Sequence, residues 1–319
     1  MLFHRGAVVT DDGMISVAVC TWNGGHLLPD CLAALESQSL DPGQFEVLIV
    51  DNNSTDDTAQ IAREWVARSL LDARYILESN PGLSSARNRA VEEAAGEAVV
   101  FIDDDSRPHT GFLAGMQKAF RETGADLVGG RIIPVLPSGC PGDVPESYLK
   151  RIRSGGLNLG VQRRPMLPTE YVVGANMAFT KSLVARLGRF DCELGYVGHK
   201  KIAGEDTDLC VRAHRAGALV VYEPDAVVDH VIAEDRLTKK HMIQAAFGYG
   251  VGRARLLLSG GRSIPARILD VLKLCGEIVL YGIGFVLTSW SGCCRLRCRL
   301  MISKCSGKLS VLTGLQRHG

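Results

Sequence analysis

Between residue 15 and about residue 125, short apolar runs alternate with stretches of helical period. Residues 15–20 (ISVAVC), 45–51 (FEVLIVD), 74–78 (RYILE) and 98–103 (AVVFID) read as strands, and 27–37, 56–68 and 83–95 as helices between them. The strands are rich in Val and Ile and lack polar alternation, as parallel strands covered by helices on both faces must. Ser54 or Thr55 is expected to cap the second helix, with Asp56 and Asp57 in its favourable first turn. Pro81-Gly82 opens the third, and Gly96 sits where a helix end favours positive φ. The pattern predicts an α/β fold with a mainly parallel sheet flanked by helices.

Residues 132–169 are rich in Pro, Gly and Arg and read as connecting segments. Regular structure resumes with a strand-like run at 171–179 (YVVGANMAF), a helix opening near Asp206 and running through Arg215, and a strand at 218–224. The tail has a different character. Residues 268–290 read ILDVLKLCGEIVLYGIGFVLTSW, with Asp270, Lys273 and Glu277 spaced along one helical face. The uninterrupted apolar part, 278–290, is 13 residues long, short of the roughly 20 that a membrane span needs. Beyond Glu277 there is no acidic residue, while Arg295, Arg297, Arg299, Lys304, Lys308 and Arg317 remain. An apolar, basic tail suits a helix lying on an anionic leaflet; packing on the first domain or on a second subunit, and a true span, are the alternatives. The expected division is a catalytic domain over 13–232 and a C-terminal helical, membrane-associating extension over 233–319.

Composition narrows the partners. Lys and Arg total 36 against 35 Asp and Glu, so the chain as a whole is no electrostatic binder of nucleic acid. The ten cysteines are expected as thiols in a reducing cytoplasm, with Cys20, Cys31, Cys192 and Cys210 buried. Cys293, Cys294, Cys298 and Cys305 have neither the paired spacing nor the histidine of a zinc module. The first residues are soon interrupted by Asp11 and Asp12 and do not read as a signal peptide. The expected location is cytoplasmic, peripheral on the inner face of the cell membrane.

In an open α/β sheet, ligands bind outside the carboxyl ends of the strands. Strand one ends in Thr21-Trp22-Asn23, strand two in Asp51-Asn52-Asn53 and strand four in Asp103-Asp104-Asp105. Three adjoining carboxylates leaving a dry sheet repel one another unless a cation neutralises them. Alternation puts Asp103 and Asp105 on one side and Asp104 on the other, and hard Mg²⁺ or Mn²⁺ uses one or two carboxylates together with substrate phosphates. A solvated acidic turn is the alternative. Trp22 offers a flat face to a nucleobase or a surface for core packing. Asp51 and Asn52 offer hydrogen bonds to base or ribose, or an Asx turn before Ser54. Arg87 and Asn88 face the same crevice, or Arg87 pairs at the surface. The run Gly204-Glu205-Asp206-Thr207-Asp208 places carboxylates where a helix dipole favours them and where one can take a proton from an attacking hydroxyl. Gly174, Ala175 and Asn176 allow close backbone approach beneath an acceptor.

Together these segments resemble glycosyltransferase family 2, with its A-type nucleotide-sugar-binding fold. VAVCTWNGGHLLPDCLAALESQS is similar to the family's opening strand and helix; LIVDNNSTDDT, NPGLSSARNRAV and VVFIDDDSRP to its nucleotide and metal motifs; VGANMAF and GEDTDLCVRAHRAG to its acceptor-side motifs. The resemblance covers about residues 15–230. It implies that Trp22, Asn52 and Asp51 contact base and ribose, that Arg87 and Asn88 hold the nucleotide, and that Asp104 reaches toward ribose or sugar. Asp105 would bind the metal, with Asp103 and His230 beside it, and Arg253 near the metal or diphosphate. Core or surface structure is the alternative for His230 and Arg253. Asp206 would be the base and Glu205 would assist acceptor placement. The Gln-x-x-Arg-Trp motif of processive synthases is absent, since Gln244 is followed by AAFGYG. The expected reaction is inverting, metal-dependent transfer of one sugar from a nucleoside-diphosphate sugar to a glycan or lipid-linked acceptor by a bacterial enzyme. A nucleotidyltransferase would share the carboxylate-bound metal but release pyrophosphate, and a silent membrane-attached scaffold would do neither.

Overall fold

A computed structural model describes residues 13–139, 144–146, 148–149, 157–198, 200–259, 264–288 and 292–313. The chain divides into two compact units. The first comprises Met1–Val135, Arg153–Cys192 and Glu205–Val231; the second takes Leu136–Ile152, Glu193–Gly204 and Ile232–Gly319. The division is therefore not one cut in the chain, because two inner segments belong with the tail.

The first unit is built on a nine-stranded sheet. Its strands are β1 (Ile15–Thr21), β2 (Phe45–Asp51), β3 (Asp72–Leu77), β4 (Ala98–Asp103), β5 (Ser106–Pro108), β6 (Leu127–Val135), β7 (Arg164–Pro165), β8 (Met177–Thr180) and β11 (Val220–Val231). The order is β3-β2-β1-β4-β8-β6-β11-β5, with β7 also on β11. Pairing is parallel from β3 through β4, antiparallel on both sides of β8, and parallel again between β6 and β11. The sheet is thus mixed and mainly parallel, in an α/β fold.

Every residue of β1 and β2 is buried, which explains the missing polar alternation. Val17, Val19, Val47 and Ile49 pack under α1 (Leu28–Glu36), α2 (Thr58–Arg68) and α4 (Phe112–Thr123). Ala18, Leu48, Val50 and Phe101 pack under α3 (Leu83–Glu93), α5 (Lys181–Leu187) and α6 (Glu205–Arg215) on the other face. The result is three layers with two cores, each fed by alternate residues of the same strands.

Several local expectations are corrected. Neither Ser54 nor Thr55 caps α2; the N-cap is Asp57, and Asp56 accepts from the Thr58 N–H at 3.1 Å. Ser54 is spent on the neighbouring loop, accepting from the Asn23 N–H at 2.8 Å. Gly96 is not at positive φ, because α3 ends on an extended Ala94 two residues earlier. The 171–179 run is strand only from Met177, in Met177–Thr180; before it Gly174-Ala175 form a turn closed by the Val173–Asn176 bridge. Residues 132–135 continue β6, and β11 runs to Val231 across an irregularity between Glu223 and Val227. Cys20, Cys31 and Cys210 are buried thiols, whereas Cys192 is exposed.

The second unit holds the hairpin β9 (Gly195–Val197) and β10 (Lys200–Ile202) and three helices: α7 (Lys239–Ser259), α8 (Ile264–Leu287) and α9 (Gly292–Leu312). Leu237, Met242, Ala246, Leu296 and Leu300 form one of its cores, and Ala254, Leu274, Cys305 and Leu312 another. Among the described residues no helix is long and apolar enough to cross a membrane. The predicted 268–290 segment is helical through Leu287; Ser289 and Trp290 lie outside the described residues.

Candidate active site

After β1 the chain goes to β2 and β3 on one side, then returns to β4 on the other. The carboxyl ends of β1 and β4 therefore flank the topological switch point, where such sheets bind ligands. At the end of β4, Asp103, Asp104 and Asp105 separate as alternation predicts. Asp104 turns toward β1, where the Thr21 Oγ1 donates to its Oδ2 at 2.6 Å. A Cβ on Gly24 would stand 2.0 Å from that same oxygen, so only glycine lets the β1 loop pass so close. Asp103 and Asp105 gather with His230, their ligating atoms all within 4.8 Å of one another.

His230 arrives from far along the chain by sheet pairing. β11 runs antiparallel to β5 with His230 opposite Ser106, and the Val231 N–H donates to the Asp105 carbonyl at 2.9 Å. The His230 Nε2 lies 3.1 Å from the Asp105 Oδ1. Two carboxylates and an imidazole form a donor set that suits Mn²⁺, with carboxylate-only coordination suiting Mg²⁺ equally. The convergence of three such atoms fits a divalent ion.

Arg87 ties this cluster to the acceptor-side motif. It is not a surface residue but is buried to 1% exposure. Its Nη1 donates to the Glu205 Oε1 at 2.7 Å, and its Nη2 lies 3.4 Å from the Asp103 Oδ1. Burial alone would lower the arginine pKa, yet Glu205 and Asp103 hold it above its ordinary value. The rings of Phe101 and Phe190, 5.9 Å apart and edge to face, lie together beside it, each 5.8 Å from its guanidinium carbon. Gly174 leaves room for it, since a Cβ there would meet the Arg87 Nη2 at 2.2 Å. Burial and the adjacent Asp206 push the Glu205 carboxyl up, against the pull of Arg87. Asp206 is held at both oxygens: the Gly174 N–H donates to Oδ2 at 3.0 Å and the Thr207 N–H to Oδ1 at 2.6 Å.

The remaining expected site residues divide by what occupies them. Trp22 is 43% exposed and is not core packing. Asn23 adopts φ 52°, and its Oδ1 accepts from the Thr55 N–H at 2.8 Å. Asp51 is buried; it accepts from the Ser54 N–H at 2.9 Å and from the Tyr75 hydroxyl at 2.8 Å. Burial, with Asp51 next, pushes that tyrosine up to about 12. Asn52 donates to the Glu78 and Asn80 carbonyls and accepts from the Gly82 N–H at 2.6 Å. Asn88 clamps the Phe190 backbone, donating to its carbonyl and accepting from its N–H. Asn176 is fully buried and donates to the carbonyls of Arg131 and Ala226, the latter inside the β11 irregularity. Asn52, Asn88 and Asn176 therefore hold loops in place. Arg253 lies on α7 in the second unit.

Phe190 and Tyr75 are the contributors that sequence reasoning missed. Tyr75 had a signal: on a parallel β3 it stands one diagonal step from Asp51, on the same face. Phe190 had none, because no spacing rule links it to Arg87.

The chain is 29% identical over 218 residues to glycosyltransferase AglE of Haloferax volcanii, covering 68% of this chain and about two thirds (66%) of AglE. It is 25% identical to the succinoglycan biosynthesis protein ExoM of Rhizobium meliloti, over 76% of this chain and 75% of ExoM. With an archaeal and a bacterial relative both at hand, the resemblance does not assign the chain to bacteria. The mannosyltransferase PcManGT of Pyrobaculum calidifontis, solved with GDP-Man and Mn²⁺, shares the fold with a TM-score of 0.59 at 19% identity, over 98% of this chain and 79% of that one. The profile of glycosyl transferase family 2 matches residues 16–188, more than half of the sequence. The chain belongs to glycosyl transferase family 2.

Proposed function

We propose that this glycosyltransferase transfers a single sugar, with inversion, from a nucleoside-diphosphate sugar to a hydroxyl of a glycan or lipid-linked acceptor. The reading rests on the convergence of Asp103, Asp105 and His230 within 4.8 Å at the sheet's switch point. Trp22, exposed at the end of β1, offers its ring to the base, and Asp104 presents a carboxylate toward ribose or sugar. Asp103, Asp105 and His230 would hold Mg²⁺ or Mn²⁺. Such an ion supplies charge compensation for a leaving diphosphate. Asp206 takes the proton of the acceptor hydroxyl. The N–H donors at both its oxygens fix the carboxylate's direction without filling its remaining lone pairs. Glu205, tied to Arg87, orients the acceptor side against the donor side.

Single transfer is supported by the absence of the processive motif after Gln244. Participation in polysaccharide or cell-surface glycan assembly, at the inner face of the cell membrane, is supported by the likeness to ExoM and by the basic tail. Asp206→Asn is the test. Turnover should fall by roughly 10²–10⁴ while calorimetric affinity for donor with Mn²⁺ stays near wild type. Wild-type turnover in the variant would remove Asp206 as the base, and release of pyrophosphate instead of a nucleoside diphosphate would overturn the reaction class.

A further inference from the structure

The second unit carries a feature that sugar transfer does not use. On α8, Leu272, Val279, Leu280, Ile283, Val286 and Leu287 are exposed, joined by Ile268 and Leu269 nearer its start; all eight are between 52 and 70% exposed. At 3.6 residues per turn they fall within an arc of about 120°. The opposite side of the helix is used: Leu274 is buried there, with Val271 and Ile278 packed beside it against the core of α7 and α9. Asp270 and Glu277, the acidic residues of this helix, lie off the arc, and exposed Lys273 borders it. Soluble surfaces rarely leave an apolar stripe of about five turns uncovered.

Charge decides what covers it. From residue 278 to residue 319 the chain has no acidic side chain. At the start of α9, Arg295, Arg297 and Arg299 are all exposed. The Arg295 guanidinium carbon sits 4.5 Å from the centroid of the Phe285 ring, which packs the start of α9 against the side of α8 that carries Leu274 and Ile278 and leaves the stripe bare. An apolar face on a helix whose following segment carries only basic charge matches a bilayer surface, where acyl chains accept the stripe and anionic headgroups the exposed guanidinium groups. A second copy of this chain would bury the stripe, yet residues 278–319 would bring those arginines no acidic counterpart.

We infer that α8 is a membrane-docking helix, lying flat on an anionic lipid surface through the face centred on Leu272, Val279 and Ile283 and held there by Arg295, Arg297 and Arg299. The docking does not depend on the sugar chemistry, and a lipid-linked acceptor would gain from it.

Flotation of the full chain with vesicles tests this. The wild type should float with phosphatidylglycerol-containing vesicles, weakly with pure phosphatidylcholine, and lose binding as salt rises. Leu280→Asp with Ile283→Asp should reduce the bound fraction at least about tenfold. Arg295→Gln with Arg297→Gln and Arg299→Gln should remove the preference for anionic lipid. Calorimetric binding of nucleotide with Mn²⁺ should be unchanged in both variants, which also establishes that the first unit is folded. Equal flotation of wild type and the Asp variant would overturn the proposal. So would a dimer-to-monomer change in sedimentation on the Asp substitutions with vesicle binding unaltered, since the stripe would then be a subunit interface.

Discussion

The exits of β2 and β4 lie on either side of β1 and look alike in sequence, Asp51-Asn52-Asn53 against Asp103-Asp104-Asp105. Their side chains have opposite fates. At the β2 exit, Asp51 is occupied by Ser54 and Tyr75, and Asn52 by three backbone groups of the loop before α3. At the β4 exit, Asp103 and Asp105 turn toward each other and toward His230. Polar residues that satisfy neighbouring backbone build a loop; like charges brought together create a demand that a ligand meets. Strand-end polarity alone does not separate these two cases.

The largest effect that would break the comparison lies at the link between the halves of the β4 site. Arg87→Leu should leave Glu205 and Asp103 without their buried partner and cost about 3–5 kcal/mol; urea unfolding measures it, and a midpoint near wild type would show the buried pair to be dispensable. Next, Asp105→Asn should reduce turnover by about 10²–10³ and abolish Mn²⁺-dependent nucleotide binding while the melting temperature holds. Asn52→Ala should behave in the reverse way. Three loop hydrogen bonds vanish, stability falls by about 1–3 kcal/mol, and turnover at low temperature stays within a few-fold; a rise in donor KM without loss of stability would instead make Asn52 a direct ligand of the nucleotide.

The smallest expected effect concerns a buried carboxylate remote from both exits. Burial alone would raise the Glu46 pKa, but the Ser16 hydroxyl at 2.6 Å, the Ala95 N–H at 2.7 Å and Arg74 outweigh it and hold the value below the ordinary one. A lowered folded-state value stabilises the protein above the unfolded carboxyl pKa, and that stabilisation is lost as pH falls through the folded value. Glu46→Gln should therefore cost about 1 kcal/mol near pH 7, and the gap to wild type should close in acid; urea titrations at the two pH values compare them.

Local pattern reached far in the first half of the chain. The β2 and β4 bounds were readable residue for residue, because a strand buried on both faces is an almost continuous apolar run, here ending on Asp51 and Asp103, with Glu46 the one charge inside β2. It failed where structure depends on partners distant in sequence. The β6 strand contains Gly129, Gly130 and Pro134, which argue against a strand, yet it is held between β8 and β11. Half of β11 was invisible because its irregularity breaks the period of two, and Asn176 bonds to the Ala226 carbonyl there from the turn just before β8. The site shows the same division. The acidic triplet and the Glu205-Asp206 pair were legible as charge where a dry element begins or ends. The backbone hydrogen bonds of Asn52, Asn88 and Asn176 were not, since an amide that holds a loop and an amide that binds a ligand have the same letter.

By itself the sequence determined the α/β layering, the family, the acidic strand end and the apolar, basic tail, because each is a property of residues near one another in the chain. Only the tertiary structure decided that His230 joins Asp103 and Asp105, that Arg87 is a buried bridge, and which side of α8 is left bare. Those are matters of sheet pairing and packing, where free energy depends on distances between residues whose separation along the chain carries no information about their separation in space.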